Sequence, residues 1–253
     1  MPTFFHVICL IYYTIVGLVI GSFLNVCIYR IPRGESIVKD ASHCTSCGQK
    51  IKRYDLIPVF SYLILKGHCR SCKVRISPRY AIVEFITGLL FFLCAYKFKY
   101  TVETLVYTVF CCLLITMAYI DKDTMEIPDR IHIAIATIGL VLMGISDIPW
   151  YERVIGFFSV SVLLLIVAII TKGGMGGGDI KLMAVSGLVL GWKLCILAFI
   201  LGSIAAAIYG ITVSKCKREN MKLKIPLGPF LALGMLIALF LGNNIITLYL
   251  GFL

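Results

Sequence analysis

Two carboxylates stand where apolar runs end. Asp121 lies in Ile120-Asp121-Lys122-Asp123-Thr124-Met125-Glu126-Ile127-Pro128-Asp129, and Asp179 in Gly173-Gly174-Met175-Gly176-Gly177-Gly178-Asp179-Ile180-Lys181. Ionisable groups beside hydrocarbon are expensive and are functional suspects by default. Two carboxylates that share a site do not both ionise easily, so one stays a base and the other a proton donor around one water. That is the chemistry of aspartic peptide hydrolysis. Asp123 and Asp129 compete with Asp121, although Asp129, just after Pro128, is expected to cap the following helix. The glycine run does not continue a helix well, and it lets a substrate strand or a neighbouring helix come close. No Gly-Lys-Ser/Thr ends it, so it is not a phosphate-binding loop. The bland reading is a flexible linker with Asp179 at a helix start, where the dipole favours a carboxylate.

A second group of reactive residues is sulfur. His43-Cys44-Thr45-Ser46-Cys47-Gly48 and Gly67-His68-Cys69-Arg70-Ser71-Cys72 form two C-x2-C pairs. Paired thiolate knuckles suit a tetrahedral structural Zn2+, with Cys44, Cys47, Cys69 and Cys72 as ligands. Redox pairs or plain free thiols are the alternatives, and His43 and His68 are spare ligands. Of the 11 cysteines, Cys9, Cys27, Cys94, Cys111, Cys112 and Cys195 lie in apolar runs and read as core packing.

The elements that must hold these groups are membrane helices. Of 253 residues, 60% are hydrophobic and 15% charged, and the mean hydropathy is +0.96. That excludes a water-soluble globule and a disordered chain. Apolar stretches at 5–29, 80–96, 102–120, 131–146, 154–171, 182–192, 194–213 and 227–252 predict an all-α polytopic transmembrane bundle of about eight spans. The run at 182–192 is short, and is expected to be tilted, shielded or re-entrant. The first run is too long for a cleaved signal core. The net charge is +11, which in this setting reads as loop charge rather than as nucleic-acid binding. Of the 24 basic residues, 20 fall on one side of an eight-span model, in the loops 30–79, 121–130, 172–181 and 215–224. The positive-inside rule makes that side cytoplasmic and leaves the N-terminus outside. A seven-span arrangement puts the 215–224 loop outside, against the rule. The domains expected are a first transmembrane helix (1–29), a cytoplasmic four-cysteine domain (30–79) and a transmembrane core (80–253).

Together these residues resemble a known family. Gly176-Gly177-Gly178-Asp179 fits the Gly-x-Gly-Asp mark of intramembrane aspartyl proteases, and the set is similar to the bacterial type IV prepilin peptidases, bifunctional leader peptidase/N-methyltransferases. The match runs through Gly21-Ser22-Phe23-Leu24-Asn25-Val26-Cys27-Ile28-Tyr29-Arg30-Ile31-Pro32, the two knuckles, Ile57-Pro58…Ser61-Tyr62-Leu63, Ser77-Pro78-Arg79-Tyr80…Glu84, Ile120-Asp121 with Ile127-Pro128-Asp129, and Ile225-Pro226-Leu227-Gly228-Pro229-Phe230. The resemblance implies that Asp121 and Asp179 are catalytic and that the four cysteines hold Zn2+. It implies cleavage of prepilin or pseudopilin leaders after a Gly at the cytoplasmic face of the inner membrane, then methylation of the new N-terminus with S-adenosylmethionine. In the family a Gly and a basic residue before the third Cys are linked to methyl transfer; here they are Gly67-His68. Glu84 lies in a motif of the same region. The partners implied are prepilins and the lipid bilayer, with no nucleic acid; the oligomeric state is left open. The rival from another class is an ion-coupled transporter using the same carboxylates, and a third reading is a zinc-organised scaffold. A Ser/Cys–His route is disfavoured, because His6 and His132 have no partner in sequence.

Overall fold

A computed structural model describes residues 2–38, 42–44, 46–172, 174–217 and 225–251. Gly173 of the glycine run, Thr45 of the first knuckle, and Lys39, Arg218, Lys222 and Lys224 of the charge pattern lie outside the described residues. The helices are α1 (Pro2–Arg30), α2 (Phe60–Ile64), α3 (Arg79–Phe98), α4 (Val102–Thr124), α5 (Asp129–Ile145), α6 (Trp150–Ile170), α7 (Gly177–Leu190), α8 (Trp192–Lys217) and α9 (Gly228–Leu250). The described residues contain no strand, only two isolated bridges, His43 with Lys50 and His68 with Arg75.

Each of the eight apolar stretches is mainly helical over its described residues. Six helices, α1, α3, α4, α6, α8 and α9, are long and apolar enough to cross a membrane, against about eight expected. The two that fall short are α5, with 17 residues, and α7, with 14. At about 1.5 Å per residue α7 reaches only about 21 Å, less than the hydrocarbon thickness of about 30 Å. Protein shelters it instead: α5, α6 and α8 pack around it, and Leu182, Met183, Val189 and Leu190 are buried.

The chain forms two compact units, 1–116 and 117–253, and α4 passes from one to the other. In the first unit α1 lies along α3. A side chain at Gly21 would come within 2.7 Å of the Glu84 Cα, and one at Gly17 within 2.6 Å of the Phe91 ring. Small residues therefore allow this close approach. Asn25 donates to the Tyr80 carbonyl at 3.1 Å. In the second unit α6 and α7 touch through Gly156 and Gly187, whose backbones leave no room for a Cβ on either. α8 and α9 meet the same way at Gly202, where a Cβ would lie 2.8 Å from the Phe230 carbonyl. The glycine spacings 17/21 and 187/191 thus serve packing within the bundle, at 17, 21 and 187.

Candidate active site and metal centre

Asp121 occupies the last turns of α4, a helix of straight-chain and β-branched apolar residues that continues three residues beyond it. The side chain is buried, and its Oδ2 accepts the Gly228 backbone N–H at 2.9 Å. That donor belongs to the first turn of α9, where N–H groups have no helical partner of their own. A side chain at 228 would come within 2.6 Å of Oδ2, so glycine is needed for this approach. Asp123 and Asp129, by contrast, are exposed. Asp129 is not the cap of α5: that position is Pro128, without a side-chain cap bond. Asp129 sits inside the first turn and pairs with Lys181 at 2.8 Å, and the Lys181 ammonium holds its carboxyl below the usual range.

Asp179 stands in the first turn of α7, outside the six spans and ahead of the apolar stretch 182–192. The glycine run does not exclude helix throughout, because α7 begins at Gly177; a first turn forgives glycine more readily than a helix interior. Oδ1 of Asp179 is buried without a hydrogen-bond partner among the described residues. Burial, followed by the charge of Asp121, pushes its carboxyl up to about 6. The two sequence candidates are therefore brought into electrostatic contact. One has an oxygen held by a backbone N–H, and the other has an oxygen unclaimed.

The sequence left His132 without a partner, and the structure supplies one. Its Nε2 lies 3.1 Å from the Gly178 carbonyl, and since a carbonyl only accepts, a neutral ring carries its proton there. Its Nδ1 faces Asp129 Oδ1 at 3.5 Å. His132 thus grips the backbone beside Asp179 from α5. Sequence spacing offers no signal for this contact, because 46 residues separate the pair. His6 also has a partner: Tyr100 donates to its carbonyl at 3.1 Å. Neither histidine meets a serine or cysteine nucleophile in these contacts.

The four knuckle cysteines converge. The ligand atoms of Cys44, Cys47, Cys69 and Cys72 all lie within 4.8 Å of one another, a set that could hold a metal ion. Both knuckles are folded alike. Gly48 N–H donates to the Cys44 carbonyl at 2.8 Å and Lys73 N–H to the Cys69 carbonyl at 3.0 Å. The residue after each second cysteine takes a left-handed turn, Gly48 at φ +70° and Lys73 at φ +58°. The N–H groups of Cys47 and Ser46 lower Cys44 to about 6, so this thiol ionises readily. A thiolate is the form that binds metal.

The remaining candidates are spread over the same unit. Gly67, at φ +69°, packs on Tyr62, whose hydroxyl would be 2.9 Å from a Cβ there. His68 is exposed and its Nδ1 contacts the Lys66 carbonyl at 2.7 Å. Glu84 is buried; its Oε2 accepts the Val59 N–H at 2.7 Å, and Ser22 is a further partner.

Residues 15–98 match the bacterial peptidase A24 N-terminal domain, and residues 108–211 match the type IV leader peptidase family. The chain belongs to the type IV leader peptidase family. Within that family it is 37% identical over 236 residues to the prepilin leader peptidase/N-methyltransferase of Bacillus subtilis, covering 93% of this chain and 95% of that one. It is 33% identical to the protein of the same name from Pseudomonas putida, over 92% of this chain and 90% of the relative. The like-named protein of Pseudomonas aeruginosa is also 33% identical, over 94% and 92%. No solved structure matches the chain. Asp121 and Asp179 fall inside the second matched segment, and the four knuckle cysteines fall inside the first.

Proposed function

We propose that this protein removes the basic leader of type IV prepilins or pseudopilins by a two-aspartate mechanism and then methylates the new N-terminus. The observation that carries the peptidase reading is the pairing of Asp121 with Asp179 at the ends of two sheltered helices. One carboxylate takes a proton from water as the water oxygen attacks the scissile carbonyl. The other, protonated, gives its proton to the carbonyl oxygen, and collapse of the tetrahedral carbon passes a proton to the departing amine. The leader leaves with a new carboxylate and the mature chain with a free amine. Which aspartate begins as the base is a property of the pair. The glycines ahead of Asp179 admit the extended scissile strand.

In this reading the first unit serves methyl transfer. The four thiolates hold Zn2+, whose preference for tetrahedral sulfur matches the cluster. S-adenosylmethionine supplies the methyl group when bound. Of the three residues assigned to that activity, His68 lies at the surface, while Gly67 and Glu84 shape the lobe beneath it. We assign residues 1–29 to the first span, 30–79 to the zinc domain and 80–253 to the peptidase core. The protein sits in the inner membrane, with its N-terminus outside and the cysteines and aspartates facing the cytoplasm. The charge distribution supports that orientation.

The test is cleavage of a type IV prepilin by membranes carrying the protein, compared with Asp179→Asn at equal expression. A fall of about 10²–10⁴-fold is expected. Equal cleavage by both would remove Asp179 from the chemistry. Loss of ion flux with cleavage intact would favour a transporter.

A further inference from the structure

Residues 56–64 present an apolar face that the protein leaves uncovered. Phe60, Leu63 and Ile64 are 60%, 64% and 76% exposed. They stand at i, i+3 and i+4 of α2 and so share one side of the helix. Leu56 and Ile57, which lead into α2, are exposed as well. The opposite side is engaged: the Tyr62 hydroxyl reaches the Ile76 carbonyl at 3.4 Å, and the Tyr62 carbonyl accepts the Gly67 N–H at 2.9 Å. A lobe bathed only in water does not usually leave so contiguous an apolar face open.

The depth of this face is fixed by a hydrogen bond. Val59, the residue before α2, donates its N–H to Glu84 Oε2 at 2.7 Å. Glu84 is the sixth residue of α3, so at about 1.5 Å per residue it lies roughly 7–8 Å along the helix from Arg79. α3 is long and apolar enough to cross a membrane, and for a crossing α3 the basic Arg79 end would lie at the edge of the hydrocarbon. The chain at Val59 therefore lies level with the second turn of a membrane helix. Val59 adopts φ +62° there, which is uncommon for a β-branched residue and needs an external hold. Exposed Lys52 and Lys66 flank the segment, and both suit anionic headgroups.

We propose that Leu56, Ile57, Phe60, Leu63 and Ile64 insert into the headgroup–acyl boundary of an anionic bilayer. α2 moors the cysteine lobe to the membrane, in addition to α1 and α3. A free helix of this length would not form in water; the Glu84–Val59 bond and the Tyr62 contacts order it. Interfacial segments bury about 5–10 Å into this zone, which agrees with the level of Val59. The inference requires α3 to cross the membrane and does not depend on the peptidase reading.

The test uses the full chain in vesicles of phosphatidylcholine and phosphatidylglycerol. The two tryptophans are replaced (Trp150→Phe and Trp192→Phe), and Leu63→Trp or Phe60→Trp supplies a single reporter, each with its helical content checked. Lipid brominated on the acyl chains should quench both reporters at least about twofold, with little quenching by aqueous acrylamide, as expected for residues in the boundary zone. Reporters open to acrylamide and untouched by brominated lipid would overturn the proposal. So would reporters that become shielded only when a prepilin is added, an outcome that would give this face to the substrate helix.

Discussion

Asp121 and Asp179 differ in what surrounds their oxygens. Asp121 has one oxygen held by the Gly228 N–H. Asp179 has a buried oxygen with no partner among the described residues, and its carboxyl is pushed up to about 6 by burial and by Asp121. Asp179 is protonated below that value and ionised above it. A pair that works with one shared proton is inactive when both groups are protonated and again when both are ionised. The expected kcat/KM profile for leader cleavage is a bell. Its falling limb, where the shared proton is lost, should lie at or above about pH 6, as read from initial rates across buffers. A falling limb below pH 5 would contradict a raised carboxyl at this position.

At the scale of elements, the short helix α7 is the one that matters most, because it carries Asp179 and is held by backbone contact. Gly156 and Gly187 let α6 and α7 approach until no Cβ fits between them. Gly187→Leu must push the two helices apart, and overpacking of this kind costs about 1–3 kcal/mol or more. The variant should lose thermal stability and leader cleavage together. Gly144→Ala in α5 is the contrasting case, since nothing lies within 4 Å of a Cβ there. Its helix propensity gain is about 1 kcal/mol at most, so the melting temperature should hold or rise. Thermal unfolding of both variants in detergent checks the pair. If Gly187→Leu were as stable and active as the parent, backbone contact between α6 and α7 would not be what positions Asp179.

At the scale of the molecule, the sulfur cluster lies in the unit 1–116 and both aspartates in the unit 117–253. The cysteine lobe has little regular structure beyond its turns and α2, so its order should depend on the ion, as in small metal-organised domains. Stripping metal with a strong chelator should open tryptic sites at Lys50, Lys66, Arg70 and Arg75, while far-UV circular dichroism keeps most of its helical signal. Peptide mapping by mass spectrometry reads the first effect. Resistance of the lobe to trypsin after metal removal would mean that its hydrogen bonds suffice without an ion.

Much of this was legible in the amino-acid order. Apolar runs in lipid have to become helices, because no other local structure satisfies its own backbone hydrogen bonds there, and all eight stretches did. The C-x2-C pairs carry their own turn geometry, so each knuckle follows from short-range spacing, whereas the meeting of Cys44 with Cys72, 28 residues on, is a tertiary contact. Asp121 and Asp179 stood out because charge is rare beside apolar runs. Other features depend on contacts between residues far apart in the chain. Composition does not separate α7, which is buried among α5, α6 and α8, from a helix that faces lipid. Sequence alone placed Asp129 as a cap, whereas Lys181 claims it across 52 residues. It missed the Gly228 N–H on Asp121, 107 residues away, and the His132 grip on Gly178. Local physics dictated the helices and the thiolate knuckles. Which carboxylate oxygen is held and which is left open was decided only when the packing of α4, α5, α7 and α9 brought those distant groups together.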